Sequence, residues 1–130
     1  MPGDLRAEVT QFFDAFVEAF ATFDGTIVAE RYAPAFIAVH ADGSLHNFTA
    51  SVDIARYFQR FLDGYYADGC RSCGYHALEV IPIGEACVLA TVTWELFDGS
   101  HTLVSTWRES YNLARQPSGL QVFASMDHAG

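Results

Sequence analysis

The chain has 130 residues, 51% of them hydrophobic and 15% aromatic, with only 18% charged; this composition excludes disorder and bounds the protein to one domain, residues 1–130, with one core. All seven basic residues are Arg, against 16 acids and a formal net charge of −9, so phosphate backbones and anionic lipid surfaces are repelled, and neither nucleic acid nor a membrane is expected as a partner. No apolar run approaches the roughly 18 residues of a membrane helix, Met1-Pro2-Gly3-Asp4 lacks a signal-peptide pattern, and three cysteines are too few for a disulfide framework, so a cytoplasmic protein is expected.

Leu5, Val9, Phe12, Phe13, Phe16, Phe20 and Phe23 recur at three- and four-residue spacing, which predicts an amphipathic helix over 5–22 with Asp4 as its N-cap. Asp24-Gly25 punctuates the chain, and Thr26 to Arg31 predicts a short second helix that Ala33-Pro34 stops. Phe36 to Val39, then His40-Ala41-Asp42-Gly43, then Leu45 to Phe48 predicts a hairpin around an Asp-Gly turn. Thr49 or Ser51 can cap a third helix whose buried face is Ile54, Tyr57, Phe58, Phe61, Leu62 and Tyr65, and which ends at Asp68-Gly69.

Beyond this point the period changes from helical to alternating. Tyr75 to Ile83, Ala86 to Phe97, Thr102 to Leu113 and Leu120 to His128 predict four antiparallel strands, separated by Gly84, Asp98-Gly99 and Pro117-Ser118-Gly119. The fold class is therefore α+β, with a curved antiparallel sheet wrapped around three N-terminal helices. Apolar residues fall on both faces of these strands, the pattern expected when helices cover one face and a partner subunit the other.

Several residues carry chemistry on this frame. Cys70-Arg71-Ser72-Cys73 is a C-x-x-C with no second pair; lying before a strand, it reads as structural. Tyr57 places its ring in the core and needs a partner for its hydroxyl, either a ligand or an internal group. Trp94 and Trp107 flank the Asp98-Gly99 turn and are candidate cross-strand neighbours, able to wall a pocket for an apolar ligand or to pack plainly. In the stretch STWRESYNL, alternation puts Trp107, Glu109, Tyr111 and Leu113 on one face and Thr106, Arg108, Ser110 and Asn112 on the other.

The segments Phe23-Asp24-Gly25 to Arg31-Tyr32-Ala33, Arg56 to Phe61, and Arg108-Glu109-Ser110 to Ser125-Met126-Asp127-His128 resemble the nuclear transport factor 2-like superfamily, in particular its SnoaL-like polyketide-cyclase and ketosteroid-isomerase-like branches. The resemblance implies a cone-shaped sheet with a ligand cavity between its concave face and the helices, and a homodimer formed through the convex face. It also implies that His40 and His128, at strand ends, point into the cavity as catalytic proton carriers, and that Arg108 can face it and orient an anionic or carbonyl group. Tyr57, Trp94 and Trp107 join Arg108 as ligand-binding candidates. Phe16 stands where the isomerase branch has a tyrosine donor, and His40 stands where it has a carboxylate base, so that branch's own proton shuttle does not transfer. No metal spacing is present, so no metal or other cofactor is expected. The implied function is a small-molecule-binding domain, as an acid-base enzyme of isomerase, dehydratase or cyclase type, or as a non-catalytic binding or dimerisation module.

Overall fold

The phenylalanines of the first periodic segment can leave water only by laying one helix face across an apolar surface. In the computed structural model, which describes residues 2–129, that helix is α1 (Pro2–Phe20), and Val9, Phe12, Phe13, Phe16 and Phe20 are all buried. It extends further towards the N-terminus than the periodicity indicates, so Asp4 lies within its first turn and is not its cap. It stops short of residue 22, where Phe23 turns to a positive φ of 51° and packs its ring on Phe20 and Tyr66.

Helix α2 (Gly25–Ala29) is capped by Asp24, whose carboxylate accepts from the Thr26 N–H at 2.9 Å. Gly25 is required by close approach: a Cβ there would run into the Ala55 carbonyl of α3 (Ser51–Ala67), and its N–H donates to Gln59 Oε1 at 2.6 Å. Neither Thr49 nor Ser51 caps α3. Ala50 occupies that position without a side-chain bond, and its carbonyl takes the Asp53 and Ile54 N–H groups instead. On α3, Ile54, Tyr57 and Leu62 are buried as expected, whereas Phe61 is 40% exposed.

Six strands cover the predicted runs, β1 (Tyr32–Val39), β2 (Leu45–Phe48), β3 (Cys70–Ile83), β4 (Cys87–Asp98), β5 (Leu103–Gln116) and β6 (Gly119–Asp127), with α2 ending before Arg31 and β1 starting ahead of Phe36 and running through Ala33-Pro34. Their order in one sheet is β2-β1-β6-β5-β4-β3. The meander β3 to β6 is antiparallel, and β1–β2 form the Asp42-Gly43 hairpin, with Gly43 at φ 86°. One pairing departs from an all-antiparallel sheet: β1 runs parallel to β6, which places the end of the first strand beside the end of the last. Pro34, which has no N–H to give a ladder, falls where the β1–β6 register is interrupted between Tyr32 and Ile37.

Strand β3 begins at Cys70, five residues before the Tyr75 start indicated by the sequence, so the C-x-x-C lies inside a strand. Residues three apart face opposite sides of a regular strand, yet both thiols are buried, because the β3–β4 register shifts between Cys70 and Ser72 and resets the alternation. Helices α1 and α3 cover one face of the sheet. Phe13 and Phe16 wedge between Trp94 and Tyr111 with ring centroids 5.3–6.2 Å apart, and the Trp94 indole N–H donates to Tyr111 Oη at 2.7 Å. This closed end of the concave face is the core.

Candidate functional site

The aromatic packing does not extend over the whole concave face. Toward the ends of β1 and β6 it leaves a cavity of about 110 Å³, roofed by Tyr57, Phe58, Phe61, Leu62 and Tyr65 of α3 and closed behind by Phe16 and Phe20 of α1. The sheet contributes Ala38, Val39 and His40 from the β1 end, Cys73 from β3, Trp94 and Leu96 from β4, Trp107, Glu109 and Tyr111 from β5, and Ser125 and Asp127 from β6. It is smaller than the dry apolar cavity of about 150 Å³ that holds a benzene ring and lies below the roughly 300–1,000 Å³ of ordinary ligand pockets, so in this form it takes a very small molecule or the end of a larger one.

Two acids line the cavity. Glu109 and Asp127 are directly opposed across β5 and β6. Glu109 is half-buried, and burial first, and the negative charge of Asp127 second, push its carboxyl up from the usual carboxylate range to about 8. At neutral pH Glu109 therefore keeps its proton. The Trp107 indole N–H donates to Glu109 Oε1 at 2.9 Å, a contact that favours the ionised form and limits the rise.

Around the pair stand four tyrosines, Tyr32, Tyr57, Tyr65 and Tyr111, each with its hydroxyl pushed up chiefly by burial, Tyr57 to about 12. They are neutral hydrogen-bonding groups at physiological pH. Tyr57 Oη meets His40 Nε2 at 3.2 Å, and the His46 ring lies 4.8 Å from that of His40. The hydroxyl of Tyr57 thus has an internal partner that itself lines the cavity. Trp107 stacks on Tyr65 with centroids 6.1 Å apart, and Trp94 and Trp107 are direct register partners in β4 and β5. The Cys73 thiol is pushed up to about 12 by burial, so it is a neutral wall group and not a nucleophile.

Of the six residues singled out from the sequence, the structure brings four together in this cavity: His40, Tyr57, Trp94 and Trp107. It separates the other two. Arg108 alternates to the outer face of the sheet, where it pairs with Glu79 at 3.2 Å and donates to Thr93 Oγ1 and the Ala77 carbonyl. His128 also lies on that face, its Nε2 2.8 Å from Ser110 Oγ, which in turn meets Thr91 Oγ1 at 2.7 Å. His40 and His128 thus face opposite sides of the sheet and cannot share one substrate; the cavity position at the end of β6 belongs to Asp127. The physical reason is parity, because neighbours on a strand point to opposite faces. The same parity replaces Arg108 with Glu109. The signal for Glu109 was present in the sequence: an acid on the face of Trp107, Tyr111 and Leu113 is an ionisable group on an apolar side. Among the described residues, no three His, Cys, Asp or Glu side chains converge as ligands for a metal ion.

A family model described as NTF2-like protein (DUF6841) matches residues 7–130. The chain belongs to this NTF2-like family. Solved structures with the same fold include Aln2 from a Streptomyces species (TM-score 0.78, 15% identity, covering 97% of this chain and 91% of that one). They also include a proposed dehydratase of the NTF2-like family from Streptomyces avermitilis (TM-score 0.73, 14% identity, 100% and 99% covered) and the yeast UBP3-associated protein BRE5 (TM-score 0.72, 18% identity, 97% and 98% covered). Among curated proteins, none matches by sequence. These neighbours establish for the NTF2-like chain a mixed α+β fold, and at such identities nothing of its chemistry. No helix of the described chain is long and apolar enough to cross a membrane.

Proposed function

We propose that this NTF2-like protein binds a small, partly apolar organic molecule in the concave cavity and performs acid-base chemistry on it, of the isomerase, dehydratase or cyclase type. The observation that carries this reading is the Glu109–Asp127 pair, two opposed acids lining an aromatic chamber, with the Glu109 carboxyl pushed well above the carboxylate range. Such a pair supplies an acid and a base at one pH. In a dehydration, the protonated carboxyl gives its proton to a leaving hydroxyl, the partner carboxylate takes a proton from the adjacent carbon, and water departs, so the pair ends with the one proton it began with. In an isomerisation, the same two groups move a proton from one carbon to another. His40, held by Tyr57, is the third proton carrier of this reading, and Trp94 and Trp107 wall the ligand. A neighbour of the same fold that is a proposed dehydratase supports the choice of reaction class.

A panel of small ketones and β-hydroxycarbonyl compounds incubated in D₂O and read by NMR tests this reading. The expected result is enzyme-dependent deuterium uptake at carbon, or alkene formation, reduced about 10²- to 10⁴-fold in Glu109→Gln and Asp127→Asn and unchanged in His128→Gln. Turnover that survives both acid substitutions would overturn the assignment.

The small volume and the Phe16, Phe20, Phe58 and Phe61 walls favour a second reading, a binding module without chemistry. It predicts ligand retention without deuterium uptake. We further propose a homodimer built on the outer sheet face, where Ile37 and Met126 are 41% and 37% exposed, and a cytoplasmic location, which suits three unlinked cysteines.

A further inference from the structure

The cavity contains two carboxyl groups and, among the described residues, no Arg in its lining. The groups facing Glu109 are Asp127 on β6, Tyr32 on β1, Tyr57 and Tyr65 on α3, and Tyr111 on its own strand. None of these is a cation. His40 lines the same space but is engaged by Tyr57, and Arg60, exposed on α3, exerts its charge at Tyr57. Of the two guanidiniums on β5, Arg108 projects from the other face and is bound to Glu79, and Arg115, at the far end of the strand, is bound to Glu8 of α1. The fold thus places two carboxyl groups in a mostly aromatic chamber whose lining holds no guanidinium to balance them.

The walls add a second feature. The stacked faces of Tyr65 and Trp107 stand beside Glu109, with Tyr57 and Phe61 on the same helix, 5.0 Å apart. Aromatic faces attract cations, most strongly where water is excluded. An anionic pair set among aromatic faces, in a chain of net charge −9, is complementary to a small organic cation and repels carboxylates and phosphates.

We propose that the ligand of this cavity is a small organic amine, bound as its ammonium ion with its nitrogen at Glu109 and Asp127 and its apolar part against Trp107, Tyr65 and Tyr57. The proposal rests on the reading of the cavity as a ligand site and specifies the charge of what enters it. On binding, the ammonium replaces the Glu109 proton as the counter-charge: Glu109 gives its proton to solvent, and both carboxylates accept N–H bonds from the ligand.

The test is isothermal titration of the intact protein at pH 7 with three probes of similar size, benzylamine, benzyl alcohol and benzoate, in two buffers of different ionisation enthalpy. The expected result is benzylamine binding about tenfold or more tighter than benzyl alcohol, no benzoate binding, and release of about one proton per benzylamine bound. In Glu109→Gln and Asp127→Asn, the amine preference and the proton release both disappear while benzyl alcohol still binds. Benzyl alcohol or benzoate binding as tightly as the amine to the unmodified protein overturns the cation proposal and leaves the cavity reading standing. Binding of none of the three overturns both. Because preference and proton release are read on the unmodified protein, the result does not depend on either variant folding.

Discussion

The two faces of strand β5 handle charge in opposite ways. On the inner face Glu109 sits beside Trp107 and Tyr111, opposite another carboxyl, and balances itself by keeping a proton. On the outer face Arg108, one residue away, stays charged and finds Glu79, a hydroxyl and a carbonyl, with Glu79 68% exposed. The difference shows what burial does to an ionisable group. Where water reaches, a charge persists and its partner adds little; where it does not, the group gives up its charge or waits for a counter-ion from outside. A half-buried acid on an apolar face is what marks this end of the sheet as the candidate site.

The comparison makes graded predictions. The largest effect belongs to the inner face: Phe13→Ala removes a fully buried ring packed on Tyr75, Trp94 and Tyr111 and is expected to cost about 3–5 kcal/mol. Chemical denaturation should show it as a lower midpoint at an unchanged slope.

Next is the pH dependence of stability. The Glu109 carboxyl lies near 4.5 when unfolded and at about 8 when folded, so between roughly pH 5 and 8 the folded chain keeps a proton that the unfolded chain has lost. Stability should therefore fall as pH rises through that window, by about 1.4 kcal/mol for each pH unit that Glu109 dominates. Glu109→Gln should remove this slope. A stability curve of the same shape in both proteins would show that the inner-face acid does not hold its proton.

Smaller still, Trp107→Phe deletes the donor to Glu109 Oε1. The carboxyl should then titrate higher by about one pH unit, as read by carboxyl ¹³C shifts. The smallest effect is on the outer face: Arg108→Met should change stability by less than about 1 kcal/mol, and the difference should shrink in high salt. An Arg108 effect as large as that of Phe13 would erase the distinction between the faces.

Much of the fold was legible in the residues. The three-and-four spacing of α1, the Asp24-Gly25 break, the Asp42-Gly43 turn and the alternation of β4 and β5 each express local backbone physics that tertiary packing had no reason to override. The Asp4, Thr49 and Ser51 caps were less legible, because each depends on the residue at which a helix starts. The parallel β1–β6 pair was not legible, since it joins segments about 90 residues apart and no local signal specifies such a partner. At the site, the aromatic walls followed from hydrophobic patterning, whereas the acid pair did not, because it exists only when β5 and β6 align Glu109 with Asp127.

By itself, then, the sequence determined the elements and the separation of Glu109 from Arg108 and of Asp127 from His128 onto opposite faces, because side-chain alternation is a property of a single extended chain. Only the tertiary structure decided which face is concave. Apolar residues lie on both sides of these strands, and it is the docking of α1 and α3 on one of them that turns Glu109 and Asp127 inward and leaves Arg108 and His128 outside.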